Sequence, residues 1–134
     1  MTAANIDAFI VAGGISPWLQ ACAGTEHRCL APLGDKRLID YIIAALFGSG
    51  RIRRIAVAAR PEALPLLEGT LPDNVLLCKA AGDLPATAAA AAQALGPDAG
   101  EKLLGVCDDI PLLTPLAVRD FLAACNASPE GQLY

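Results

Sequence analysis

Apolar residues follow two alternating patterns along this chain: short unbroken runs, and longer stretches with a helical period. Residues 8–12 are uninterruptedly apolar and end on Gly13-Gly14. A run this short, without polar alternation, reads as a strand buried on both faces, the habit of parallel sheets. Residues 38–47 place Leu38, Ile42, Ala45 and Leu46 along one helical face, and Gly48 and Gly50 supply the stop. Residues 53–59 return to strand, with Ile55 and Val57 on one face. Pro61 opens a short helix to Glu68, and residues 75–78 form a third strand. The alanine-rich stretch from Pro85 to Leu95 has high helix propensity and side chains small enough to pack closely on a sheet; Gly96-Pro97 ends it. Residues 103–107 are a fourth strand. Thr114-Pro115 has the form of an N-cap with proline at the first helical position, opening a helix to about Cys125. Its expected inner face is Leu116, Val118, Phe121 and Leu122. The alternation predicts an α/β fold with three layers, α/β/α, around a mostly parallel sheet.

Composition narrows the class. The 134 residues fit one domain spanning 1–134, and 54% hydrophobic against 18% charged residues excludes a disordered tail. Ten basic and fourteen acidic residues leave a net charge of -4. No basic cluster extends beyond residues 51–54, so the chain lacks the face that nucleic-acid phosphates require. No apolar stretch reaches the roughly 18 residues of a membrane helix. Residues 1–7 lack the basic-then-apolar order of a secretory signal. Five widely spaced cysteines without a Cys-x-x-Cys pair read as reduced thiols, and the expected location is cytoplasmic.

Three segments lie where an open α/β sheet receives its ligands, beyond the carboxyl ends of its strands. The first is Ala12-Gly13-Gly14-Ile15-Ser16. Glycines here either let backbone N–H groups approach phosphate oxygens or serve a tight turn with positive φ. The segment is neither a Gly-x-Gly-x-x-Gly fingerprint nor a Gly-Lys-Ser/Thr P-loop. The second is Asp108-Asp109-Ile110-Pro111. A carboxylate at a strand end suits Mg²⁺, which takes one or two carboxylates together with substrate phosphates, whereas a capping role would tie one Asp to the following turn. Adjacent side chains point apart, and Asp109 is the expected ligand. The third is His27-Arg28-Cys29-Leu30-Ala31-Pro32-Leu33-Gly34, whose guanidinium is suited to clamping phosphate. A single histidine supports no Ser/His/Asp or Cys/His arrangement, and no ligand pair has zinc spacing.

In their order and separation these segments resemble the MobA-like nucleotidyltransferases, a family with a Rossmann-like, glycosyltransferase-A-like fold. Val11-Ala12-Gly13-Gly14-Ile15-Ser16-Pro17-Trp18-Leu19 follows in frame the family pattern Leu-Ala-Gly-Gly-x-Ser-x-Arg-Met. Residues 27–40, from His27 through Leu33-Gly34 to Leu38-Ile39-Asp40, echo Pro-Lys-x-Leu-x-Pro-x-Gly-x-x-Pro-Leu-Ile-Asp. Asp109-Ile110-Pro111-Leu112-Leu113-Thr114-Pro115 echoes Asp-x-Pro-Leu-Leu-Thr-Pro, and Leu84-Pro85-Ala86-Thr87-Ala88 is similar to the Leu-Gly-Thr-Ala turn of sugar nucleotidyltransferases.

The resemblance implies attack by a phosphorylated acceptor on the α-phosphate of a nucleoside triphosphate such as GTP, with release of pyrophosphate. It implies that residues 12–16 cradle the triphosphate, Arg28 stands at the usual lysine, Asp109 holds Mg²⁺, and Gly82 and Thr87 lie near the base or ribose. Molybdopterin-, cobinamide- and sugar-phosphate-like acceptors all fit, as do a homo-oligomer and a non-catalytic relative that binds a nucleotide or sugar nucleotide. Trp18 replaces the motif arginine, Arg28 the lysine and His27 the proline. In such enzymes a second metal carboxylate and the acceptor pocket belong to a C-terminal part. The expectation is therefore an N-terminal portion, inactive by itself, with a further strand beginning at Leu133-Tyr134.

Overall fold

The computed structural model describes residues 5–128; the strand expected at Leu133-Tyr134 lies outside them. In chain order come β1 (Ile6–Ala12), α1 (Leu19–Ala23), a single 3-10 turn (Arg28–Leu30), β2 (Pro32–Leu33), β3 (Lys36–Arg37) and α2 (Leu38–Gly48). There follow β4 (Ile52–Ala59), α3 (Leu64–Leu67), β5 (Val75–Lys79), α4 (Leu84–Leu95), β6 (Leu103–Cys107) and α5 (Pro115–Ala127). Four strands form one parallel sheet in the order β5-β4-β1-β6, and β2 and β3 make a separate antiparallel hairpin.

Both faces of the sheet are covered, which explains the unbroken apolar runs. On one face Ala8, Ile10 and Ala12 of β1 and Ile55, Val57 and Ala59 of β4 meet Ile39, Ile42, Ile43 and Leu46 of α2, Leu67 of α3 and Val118 of α5. On the other, Phe9 and Ala56 meet Ala91 and Leu95 of α4. Each large aliphatic side chain removed from water here contributes about 1.5–3 kcal/mol, the main favourable term of folding. Alanines along α4 let that helix sit close to the strands. On β6, Gly105 pairs in register with Phe9, and a Cβ there would lie 2.7 Å from the Phe9 ring. The glycine makes room for the ring.

Helix starts are fixed by capping. Asp40 accepts hydrogen bonds from the Arg37 backbone N–H and guanidinium at the head of α2. The Asp83 carboxylate accepts from Ala86 N at 2.8 Å, and Thr114 Oγ1 accepts from Ala117 N at 3.1 Å with Pro115 in the first turn. At the amino end of β1, Asp7 is buried and accepts from both Arg53 and Arg54. Burial alone would raise its pKa, but the two guanidiniums outweigh it and hold the carboxyl below its ordinary value.

Several expectations are corrected. The segment from Pro61 is helical only over Leu64–Leu67, because the start of it is turn. The inner face of α5 consists of Val118 and the partly buried Leu122, while Leu116 and Phe121 are exposed at 59% and 41%. On α2 the buried set is Ile39, Ile42, Ile43, Ala45 and Leu46, with Leu38 only half-buried.

Candidate functional site

The parallel sheet delivers the carboxyl ends of β1, β4, β5 and β6 to one edge, and the loops leaving them meet there. The loop after β1 turns without positive φ: among the described residues the glycines with positive φ are Gly24, Gly34, Gly50, Gly69 and Gly96. A turn demanding left-handed glycine is therefore not the reason for Gly13-Gly14. Close approach is. A Cβ on Gly13 would lie 3.1 Å from Ala80 Cβ, at the end of β5, and one on Gly14 would fall well inside contact distance of the Arg28 guanidinium.

Two hydrogen bonds flanking an isolated Ile15–His27 bridge bring Arg28 there. Arg28 N donates to Gly14 O at 3.2 Å, and Ser16 N donates to Glu26 O at 2.8 Å. The Ser16 N–H is thereby committed within the protein. The N–H groups of Gly13, Gly14 and Ile15 donate to no protein acceptor among the described residues. Arg60, just beyond β4, donates from Nε to Gly13 O at 2.7 Å and ties the third loop to the same turn.

Asp108 and Asp109 have opposite surroundings, and Asp108 pairs with Arg28, a role the sequence reading did not weigh. Asp108 is 1% exposed and its Oδ1 lies 3.4 Å from Arg28 Nε; Asp109 is exposed. Burial raises the Asp108 pKa, Arg28 opposes that shift and Asp109 adds to it. Among the described residues, Asp108 Oδ2 and Arg28 Nε are buried without a hydrogen-bond partner. Cys29 is fully buried, and desolvation, reinforced by the Asp108 charge, pushes its thiol up to about 11. It is an inert core residue.

Thr87 is 2% exposed, and its Oγ1 accepts from Ala81 N at 3.1 Å and donates to Ala81 O at 3.4 Å. It braces the segment between β5 and α4, which reaches Gly13 through Ala80. Gly82 in that segment is exposed, with nothing within 4 Å of the position a Cβ would take. Thus residues 13–16, Arg28, Gly82, Thr87 and Asp109 all lie on segments at one edge, while Ala12 is buried in the sheet. Trp18 is 71% exposed.

Sequence reasoning missed Arg60, Ala80 and Ala81, which carry no motif, and did not pair Arg28 with Asp108. The available signal for the pair was that only one of two adjacent aspartates can face the ligand.

Divalent metal fits this donor set. The exposed Asp109 carboxylate presents the oxygens a hard cation prefers, and a coordination shell completed by substrate oxygens and water needs no further protein ligand. Among the described residues no group of three or more His, Cys, Asp or Glu side chains is arranged to hold a metal. No described helix is long and apolar enough to cross a membrane.

The model of the MobA-like NTP transferase domain matches residues 8–133. No curated protein matches this sequence. Among solved structures, Rv0371c of Mycobacterium tuberculosis H37Rv superposes with a TM-score of 0.68 at 19% identity, over 95% of this chain and 63% of that one. A hypothetical transferase of Thermus thermophilus gives 0.65 at 23% identity, over 90% and 46%. A nucleotidyl transferase of Methanothermobacter thermautotrophicus gives 0.63 at 20% identity, over 88% and 56%. A second structure of Rv0371c is a complex with manganese. The chain thus spans between 46% and 63% of the length of these three proteins and shares their α/β fold. With the model matching nearly its full length, the chain belongs to the MobA-like NTP transferase family.

Proposed function

We propose that this chain is the nucleotide-binding portion of a divalent-metal-dependent nucleotidyltransferase. In this reading it transfers a nucleoside monophosphate from an NTP to a phosphorylated acceptor of molybdopterin-, cobinamide- or sugar-phosphate-like type and releases pyrophosphate. The observation that carries it is the Arg28 guanidinium lying against Gly14, beside three consecutive N–H groups that no acceptor among the described residues uses. Such N–H groups next to a guanidinium suit a polyphosphate, since both only donate and the phosphate oxygens supply several acceptor lone pairs.

Nucleotidyl transfer asks the protein mainly for positioning and charge neutralisation. Gly13, Gly14 and Ile15 bind phosphate oxygens through their N–H groups; Ser16 fixes the loop. Arg28 takes up negative charge developing on the leaving phosphates, and Gly82 with the Thr87-braced segment borders the nucleoside. Asp109 would hold Mg²⁺, or manganese of the kind named in the Rv0371c complex, and the bound cation would supply charge neutralisation to the phosphates.

The test is pyrophosphate release by the complete gene product with each of the four NTPs, with Mg²⁺ or Mn²⁺, across a panel of phosphorylated acceptors. Release with one NTP, abolished by Asp109→Asn, is expected. Exposed Trp18 at the motif arginine favours a second reading, a non-catalytic nucleotide-binding relative, because the charge that would meet the triphosphate is gone. Metal-independent NTP binding without turnover, indifferent to Asp109→Asn, selects that reading. Absence of NTP binding overturns both.

A further inference from the structure

The Arg28–Asp108 pair has a geometry that a simple surface ion pair lacks. Its acid is buried at 1% exposure while its base is about one-third exposed. The pair meets as an ion pair without a hydrogen bond: Arg28 Nε lies 3.4 Å from Asp108 Oδ1, and among the described residues Nε has no hydrogen-bond partner. The guanidinium plane lies over Gly14, where any side chain would collide with it. Asp108 therefore sets its charge against the guanidinium while Nη2, Cζ and Nε lie over Gly14, beside N–H groups of residues 13–15 that donate to no protein acceptor among the described residues. An arginine already held by a buried carboxylate's charge and by packing over Gly14 loses less freedom when it takes a phosphate partner.

We propose that Asp108 is a positioning residue that pre-orients Arg28 against Gly14 for bidentate capture of a polyphosphate, and that glycine is required at position 14 because the guanidinium occupies the Cβ space. This inference rests on the nucleotide reading above and adds a division of labour between adjacent carboxylates. Asp109 faces the ligand and its metal, whereas Asp108 acts only through Arg28.

The experiment is a double-mutant cycle on binding of inorganic tripolyphosphate and of the preferred NTP by calorimetry. It uses Asp108→Asn, Arg28→Ala, the double variant and Gly14→Ala. Arg28→Ala should weaken binding roughly tenfold, the size expected for a charge-assisted contact. Asp108→Asn should weaken it several-fold in the presence of Arg28 and not at all in its absence. Gly14→Ala should match Arg28→Ala and add nothing to it. A purely structural Asp108 would instead lower affinity equally in both backgrounds.

A second readout does not depend on binding. The Arg28 Nε–Hε resonance should be resolved in the wild type and collapse toward the exposed arginine signals in Asp108→Asn, which also serves if that variant is too unstable for calorimetry. Additive effects, tighter binding by Asp108→Asn, or an unchanged Nε–Hε resonance each overturn the inference while leaving nucleotide binding intact. A wild type that binds neither tripolyphosphate nor any NTP overturns the nucleotide reading, and the role of Asp108 with it.

Discussion

Arg60 Nε donates a 2.7 Å hydrogen bond to the carbonyl of Gly13, joining the exits of two adjacent parallel strands. The same glycine touches Ala80 at the end of a third strand, and its neighbour Gly14 carries Arg28 across it. The turn after β1 is thus clamped from three directions by groups that lie far apart in sequence. A loop held this way can keep unpaired N–H groups in a fixed array, which a free loop would lose to water and to conformational averaging.

The clamp makes Gly13 and Gly82 unequal. Gly13→Ala sets a Cβ 3.1 Å from that of Ala80, and two backbone segments have to part by a few tenths of an ångström. The expected cost is about 1–2 kcal/mol, with weaker NTP binding as the turn shifts. Gly82→Ala meets nothing within 4 Å at a residue without positive φ and should leave the melting temperature unchanged. Equal melting temperatures for the two variants would show that the Ala80 contact does not constrain the turn.

Register links Phe9 to Gly105 in the same manner, inside the sheet. A methyl group at position 105 would meet the ring at 2.7 Å. Gly105→Ala should destabilise by about 1–3 kcal/mol, the usual range for overpacking. Phe9→Leu should relieve part of that penalty in the double variant although it is destabilising alone. Chemical denaturation of the four proteins checks this; strict additivity would mean that the ring and the methyl do not compete for space.

The strands and the larger helices were legible in the sequence because each carries its own signal. Residues 8–12 and 55–59 are apolar without alternation since helices cover both faces, and Thr114-Pro115 announces α5 through capping chemistry. What was not legible depends on partners distant along the chain. Leu116 and Phe121 match a helical period, yet only Val118 and Leu122 meet α2 and the sheet; nothing within the α5 sequence says which apolar stripe finds a neighbour. The brief α1 has no buried residue and so no apolar pattern. Motif order singled out residues 13–16, 28 and 109, and the fold brings them to one edge of the sheet. The Arg28–Asp108 contact, 80 positions apart, and the bond from Arg60 to Gly13 arise from sheet order, which no local window encodes.

Acid should weaken the fold through Asp7. Its folded pKa lies below the ordinary 3.8 because Arg53 and Arg54 together outweigh burial. A depressed carboxylate contributes stability that is fully present above the unfolded value and is lost as pH falls through the folded one. Asp7→Asn should therefore lower the denaturation midpoint near neutral pH, and the gap to wild type should close below about pH 4. A gap that persists unchanged at about pH 2 would place the effect in packing, not in charge.

Thr87 offers the sharpest separation of bracing from ligand contact. Its hydroxyl serves Ala81 N and Ala81 O, and its methyl-bearing side chain is buried. Thr87→Val keeps the shape but leaves the Ala81 N–H without its acceptor, costing about 1 kcal/mol where water can partly replace the bond. Thr87→Ser keeps the bond and gives up one buried methyl, at about 0.8 kcal/mol. The two variants should thus melt at similar temperatures. Nucleotide affinity should differ, because only the valine frees the Ala80–Ala81 segment that packs on Gly13: Thr87→Val should weaken NTP binding several-fold and Thr87→Ser hardly at all. Wild-type affinity in both variants would mean that the brace does not reach the phosphate loop, and a loss with serine as large as with valine would assign the side chain to packing alone.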